Sequence, residues 1–383
     1  MIITNVTMID AHKEVKGSLV IEDGLIKDVL PEQVPSGDHV IDGKGYALLP
    51  AFVDLHTHLR EPGFPEKEDM ESGMRAALKG GFVHLTAMAN TKPVTDSKEK
   101  VTRNLEKSKQ LDLCDLTQVA AVTMEFQSTE KALVDFQSLR SVTTMFSNDG
   151  KNLDSMEAME KALEYSKELD FTVSCHCEPE AEYTRKYLEL NRRIGGNLHI
   201  CHVSEKETVD LIRQAKKQGI KVTCEVTPHH LFAHSIPYKV HPPFAREEDV
   251  AALIEGIKEG TIDHLATDHA PHTAKDKLEG MPGLSNIEYA FSMYHTVFQE
   301  NDLSVSKLVE LLSENPAKKL GLPMGSFERG KEANFVLVDL HKIIEINPDE
   351  MISRGKNTPF AGRRVLGQVK LTMKRGEIYY DHR

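Results

Sequence analysis

Six residues of this chain could together hold two metal ions: His56, His58, Asp149, His176, His202 and Asp268. Imidazole and carboxylate suit a borderline cation such as zinc, and a pair of such ions can turn water into hydroxide at neutral pH. That is the chemistry of a hydrolase. The richest segment is Phe52-Val-Asp-Leu-His-Thr-His-Leu-Arg-Glu-Pro-Gly63, where an apolar run leads into two histidines two residues apart. In an extended strand, residues i and i+2 face the same way, so both imidazoles can reach one ion. The same alternation places Arg60 in phase with them, where its planar fork of donors suits a carboxylate beside the metal.

The elements that must position these side chains alternate regularly. Strands are expected at 51–55, 82–88, 116–122, 142–146, 171–175, 197–201, 220–226 and 264–266, with amphipathic helical stretches between most of them. One such helix runs from Ser204 to Gln218, with Ser204 and Glu207 as a capping box and Gly219 as the stop. Eight strands with intervening helices imply an α/β fold, a closed (β/α)8 TIM-type barrel, because parallel strands need crossovers and closure leaves no edge. On this layout every proposed ligand falls at or just beyond the C-terminal end of a strand: the first, fourth, fifth, sixth and eighth. Barrel active sites lie on that face.

The runs His56-Thr-His58-Leu-Arg60-Glu-Pro-Gly63, Met88-Ala-Asn90-Thr-Lys-Pro93, Asp149-Gly150, His176-Cys-Glu, Cys-His202-Val-Ser, Glu225-Val-Thr-Pro-His-His230 and Ala266-Thr-Asp268-His-Ala-Pro-His272 resemble the dihydroorotases of the amidohydrolase superfamily. The resemblance spans nearly the whole chain and points to the bacterial class with an aspartate bridge. It implies two zinc ions, with His56, His58 and Asp268 on one, His176 and His202 on the other, and Asp149 spanning both. It further implies a carboxylated substrate read by Arg60, Asn90 and His272, with His241 at a position that touches substrate in relatives. The implied reaction is reversible amide hydrolysis between dihydroorotate and N-carbamoyl-aspartate in pyrimidine synthesis, with Asp268 as the catalytic proton shuttle. The chain departs from the pattern at Ala89, Asn148 and His241 and has a short segment between His176 and His202. A hydantoinase or allantoinase activity, or a non-catalytic partner of aspartate transcarbamoylase, therefore stays open.

At 383 residues the chain exceeds what a barrel needs. The expected division is 1–49 and 325–383 as the two parts of one small β-sandwich, and 50–324 as the barrel, because each end alone is too short for a comfortable sheet domain. A formal net charge of −12 argues against a nucleic-acid partner. No run has membrane-spanning length and the N-terminus shows no apolar signal core, so the expectation is a cytoplasmic chain acting on a small molecule, with a homodimer left open.

Other conspicuous residues have plainer readings. Cys175, Cys177 and Cys201 flank His176 and His202, and strict alternation would turn all three toward the helix layer. His229 and His230 should diverge as neighbours, and Glu66-Lys-Glu-Asp-Met-Glu71 reads as a helix N-terminus. Lys151 would need carboxylation to bridge metals and ranks well below Asp149.

Overall fold

The computed structural model describes residues 1–37 and 39–383. Eight parallel strands form the barrel: β6 (Phe52–Thr57), β7 (Phe82–Ala87), β8 (Asp115–Gln118), β9 (Met145–Ser147), β10 (Thr172–Cys175), β11 (Asn197–Ile200), β12 (Val222–Val226) and β13 (His264–Leu265). The ladders run β6-β7-β8 and β9-β10-β11-β12-β13, all parallel. Two single bridges join them: Ala120 to Phe146, and Thr57 to His269. Every residue of β6 and β7 is buried, as parallel strands covered on both faces require.

The covering helices are α1 (Met70–Lys79), α2 (Lys98–Leu111), α3 (Phe136–Arg140), α4 (Met156–Leu169), α5 (Glu180–Ile194), α6 (Lys206–Lys217), α7 (Pro228–Phe232), α8 (Glu247–Lys258), α9 (Ala274–Leu278) and α10 (Ala290–Glu300). Local chemistry starts several of them. Asp69 accepts from Ser72 N at 2.7 Å while Ser72 Oγ accepts from Asp69 N, a reciprocal cap for α1 inside the acidic run. The expected capping box of α6 does not form. The helix starts at Lys206, and Ser204 donates its hydroxyl to Glu180 at 2.6 Å instead, because a buried carboxylate at the start of α5 offers a better acceptor than the local turn.

Both chain ends build one sheet. Strands β1 (Ile2–Ile9), β2 (Glu14–Glu22), β3 (Leu25–Pro31), β4 (Val40–Asp42) and β5 (Ala47–Pro50) join β14 (Phe335–Glu345), β15 (Arg364–Lys374) and β16 (Glu377–Asp381) in the order β16-β15-β14-β5-β1-β2-β3, with β4 on β1. The antiparallel β14–β5 pairing, Phe335 opposite Pro50, ties the C-terminus to the residues just before β6. This sheet closes over its own apolar cluster, including Ile3, Met8, Leu19, Leu48, Phe335 and Leu371, separate from the barrel core. Among the described residues, no helix is long and apolar enough to cross a membrane.

Candidate metal centre

The six expected ligands converge at the C-terminal mouth of the barrel, and all are buried. His56 Nε2 and His58 Nε2 lie 3.6 and 3.2 Å from Asp268 Oδ1. Asp149 stands between the two groups: Oδ1 is 3.4 Å from His56 Nε2, 3.4 Å from His202 Nε2 and 3.9 Å from His176 Nδ1, and Oδ2 is 3.4 Å from His58 Nε2. His176 Nδ1 and His202 Nε2 face each other at 3.1 Å. Two donors on a tetrahedral ion with bonds of about 2.0–2.1 Å lie about 3.3 Å apart, so the spacing suits metal better than direct hydrogen bonds. His56 Nε2 and Asp149 Oδ1 are buried without a hydrogen-bond partner among the described residues. A buried donor set left unsatisfied in this way fits a cation.

Supporting residues decide which ring nitrogens face the centre. His56 Nδ1–H donates to Glu225 at 2.7 Å and His58 Nδ1–H to Asn90 Oδ1 at 2.9 Å, leaving both Nε2 lone pairs for a metal. Asp54, fully buried, accepts from His56 N, Thr57 Oγ1, and both N and Oγ1 of Thr267, which locks the first histidine strand to the loop carrying Asp268. Burial alone would raise the Asp149 carboxyl, but the imidazoles of His56, His202 and His58 hold it well below the usual carboxylate range. Burial opposes and the same kind of neighbours prevail at Asp268, which is also held low, whereas burial and His202 push His176 down to about 4.

Three residues here have left-handed backbone: Arg60 at φ +57°, His202 at +35° and Asp268 at +44°. Non-glycine residues adopt that region at a cost, so tertiary contacts must hold them there. The consequence corrects two expectations. The first strand ends at Thr57, so Arg60 reaches the site from a turn rather than by continuing the alternation. Cys201 does not face the helix layer: its Sγ converges with His56 and Asp149, and it lies 3.0 Å from Ser174 Oγ. The reason is that His199 and Cys201 share the inward phase, and the left-handed turn at His202 brings that next ring inward as well. Burial pushes the Cys201 thiol up to about 11.

The remaining candidates take distinct places. Arg60 donates to His272 Nε2 and to Pro271 O, both at 3.1 Å, and burial lowers it to about 10. Asn90, besides holding His58, has Nδ2 at 3.4 Å from Asp149 Oδ2. His241 sits at the rim, part-buried, with Nε2 2.7 Å from Glu178. Lys151 is exposed. His229 and His230 lie on the helical turn α7, not an extended segment, so their rings stay 4.4 Å apart and both are buried. Gly283, at φ +128°, packs against the Asp268–His272 loop, where a Cβ would meet Ala270 O at 2.5 Å. The supporting roles of Asp54, Glu225 and Glu68 were not foreseen, although all three stand in runs already singled out: Asp54 in phase with His56 and His58, Glu225 at the head of Glu225-Val-Thr-Pro-His-His230, and Glu68 in the acidic run 66–71.

Residues 47–379 match the amidohydrolase family. The chain belongs to the amidohydrolase family. Within it, the chain is 39% identical over 395 residues to a dihydroorotase of Clostridium botulinum, covering 99% of each chain. It is 36% identical over 404 residues to a dihydroorotase of a Geobacillus species, covering 95% of this chain and 94% of that one. Among solved structures, an L-hydantoinase from Arthrobacter aurescens superposes with a TM-score of 0.91 at 22% identity, covering 100% and 96% of the two chains. A dihydropyrimidinase from Brevibacillus agri gives 0.89 at 21% identity, covering 100% and 95%. At such identities the two structures establish the shared family fold and no more.

Proposed function

We propose that this chain is a zinc-dependent dihydroorotase that interconverts N-carbamoyl-L-aspartate and dihydroorotate. The observation that carries the substrate choice is the part-buried guanidinium of Arg60. Its hydrogen bonds go to Pro271 O and His272 Nε2, and Asp268, Asp149, Asp276 and Glu68 act on it without a direct ion pair among the described residues. A guanidinium with no carboxylate in direct contact keeps part of its planar fork of donors free, and a carboxylated ring fits that fork. Hydantoin and allantoin lack that carboxylate. The full-length identity to curated dihydroorotases supports the same reading.

In this reading His56, His58 and Asp268 would hold one ion and His176 and His202 the other, with Asp149 placed to serve either group. Zinc there would supply an acidified water and a Lewis acid for the ring carbonyl. Arg60 binds the substrate carboxylate with Asn90 and His272, and His241 borders the entrance. Asp268 uses Oδ1 toward His58 and His56, which leaves Oδ2 to take the proton released on attack and return it to the ring nitrogen. All six donors are retained, which favours a catalyst over a scaffold for aspartate transcarbamoylase.

The test is to measure turnover of dihydroorotate, hydantoin and allantoin by one metal-analysed preparation. We expect dihydroorotate to be preferred by about 10⁴-fold in kcat/KM, the scale on which a site built to hydrogen-bond a substrate group rejects analogues lacking it. Equal or better turnover of hydantoin overturns the assignment.

A further inference from the structure

Behind His56 runs a buried line of hydrogen bonds that the reaction itself does not use. His56 Nδ1 and Glu225 Oε1 are 2.7 Å apart, Glu225 Oε2 and His199 Nε2 3.1 Å, His199 Nδ1 and Thr223 Oγ1 2.8 Å, and Lys319 Nζ and Thr223 Oγ1 3.0 Å. His56, His199 and Glu225 are fully buried. The far end opens on a cleft of about 580 Å³ lined by Thr223 and Lys319, where the barrel strands begin. The line therefore crosses the barrel interior from its N-terminal face to the proposed metal centre.

Its direction is fixed by donor and acceptor capacity. Glu225, ionised, can only accept, so His199 carries its proton on Nε2 and, held neutral by burial, accepts at Nδ1 from the Thr223 hydroxyl, whose oxygen accepts from the Lys319 ammonium. Glu225, ionised, accepts from His199 on one oxygen and from His56 on the other. His56 is thereby held as the tautomer with Nδ1–H, and its Nε2 lone pair points at Asp149 and Asp268. Reversing either the His56 or the His199 ring would leave a lone pair facing the Glu225 carboxylate inside the barrel, which costs about 1–3 kcal/mol per unsatisfied group.

We infer that His199, Thr223 and Lys319 are positioning residues that select the metal-binding tautomer of His56 through Glu225, so that the base of the barrel sets the affinity of the His56/His58/Asp268 ion. The inference rests on the proposed metal-dependent function. Partners of this kind behind a metal-ligating histidine are typically worth 10–100-fold in metal affinity. Burial pushes Lys319 down to about 8, in keeping with an ammonium whose partners are few and specific. His264 stands beside the line, its ring 5.7 Å from His199, and makes no hydrogen bond among the described residues.

The experiment is zinc competition against a chromophoric chelator, with the visible spectrum of the cobalt-substituted protein as a second readout. We expect His199→Phe to weaken one of the two sites by 10–100-fold and to perturb its cobalt spectrum. His199→Gln keeps a donor toward Glu225 and an acceptor toward Thr223, and should recover most of the affinity. Thr223→Val and Lys319→Met should weaken the same site by smaller factors, with KM at saturating metal unchanged in all. Should His199→Phe fail to fold, Thr223→Val decides. Wild-type affinity in both His199→Phe and Thr223→Val, or in Thr223→Val alone where the other cannot be made, overturns the inference. A wild-type chain that binds no zinc instead overturns the proposed function.

Discussion

Arg60 donates to Nε2 of His272 at 3.1 Å, which obliges that imidazole to keep its proton on Nδ1 and remain neutral. Burial and the adjacent guanidinium push His272 down to about 3, in agreement. The pair therefore offers a single positive charge and a neutral donor to an incoming anion.

Arg60→Lys should raise KM for dihydroorotate, because an ammonium cannot reproduce the planar fork that both holds His272 and meets a carboxylate. The loss should be about 1.5–3 kcal/mol, the worth of one charged hydrogen bond. Bound zinc should not change. Steady-state kinetics together with elemental analysis checks this, and unchanged KM would remove Arg60 from substrate recognition.

Asp149→Ala should lose metal and activity together, since the same carboxylate lies within 4 Å of all four candidate ligand histidines. Zinc content by atomic absorption is the measurement. Retention of two ions per chain would show that the bridge is made by something else.

Asp268→Asn preserves shape but cannot take up a proton. We expect kcat to fall by about 10²–10⁴-fold in both directions on metal-replete protein. Near-normal turnover would pass the shuttle to another group, and His229, His230 and His272, all buried, would then be examined first.

Glu68→Ala tests how the barrel mouth is anchored to the C-terminal segment. Glu68 is fully buried and accepts from Ser353 Oγ at 2.5 Å, from Arg354 N at 3.2 Å and from His269 Nε2 at 3.3 Å, and it also pairs with Ser72. Its removal strands several donors, so urea unfolding should show a loss of about 2–4 kcal/mol. A loss below about 1 kcal/mol would mean that water satisfies these groups.

Much of this molecule was written in local pattern. Apolar runs separated by amphipathic helices are fixed by which faces are covered, so all eight barrel strands fall on their expected segments, with ends displaced by a few residues. The six candidate ligands could be named for the same reason: strand ends map onto one rim. What local pattern could not show was backbone reversal. Alternation holds only while φ stays extended, and the left-handed turns at Arg60, His202 and Asp268 break it where the site is assembled. Cys201 was misplaced on that account, and the adjacency argument for His229 and His230 failed because their segment is helical. The α6 cap was lost to Glu180, a competitor 24 residues away that no local rule could see.

Residue identity and spacing by themselves determined the fold class, the donor chemistry and the rim on which it gathers, because these depend on periodicity and on side-chain type. Tertiary structure alone decided which nitrogens of His56 and His58 face the centre and which residues hold them there. Those choices belong to Glu225, Asn90 and Asp54, whose effect comes from hydrogen bonds across the barrel: His56 and Glu225 lie 169 residues apart, and Asp54 and Thr267 213 apart. A hydrogen bond acts over about 3 Å, and only the closed barrel brings such partners within that distance.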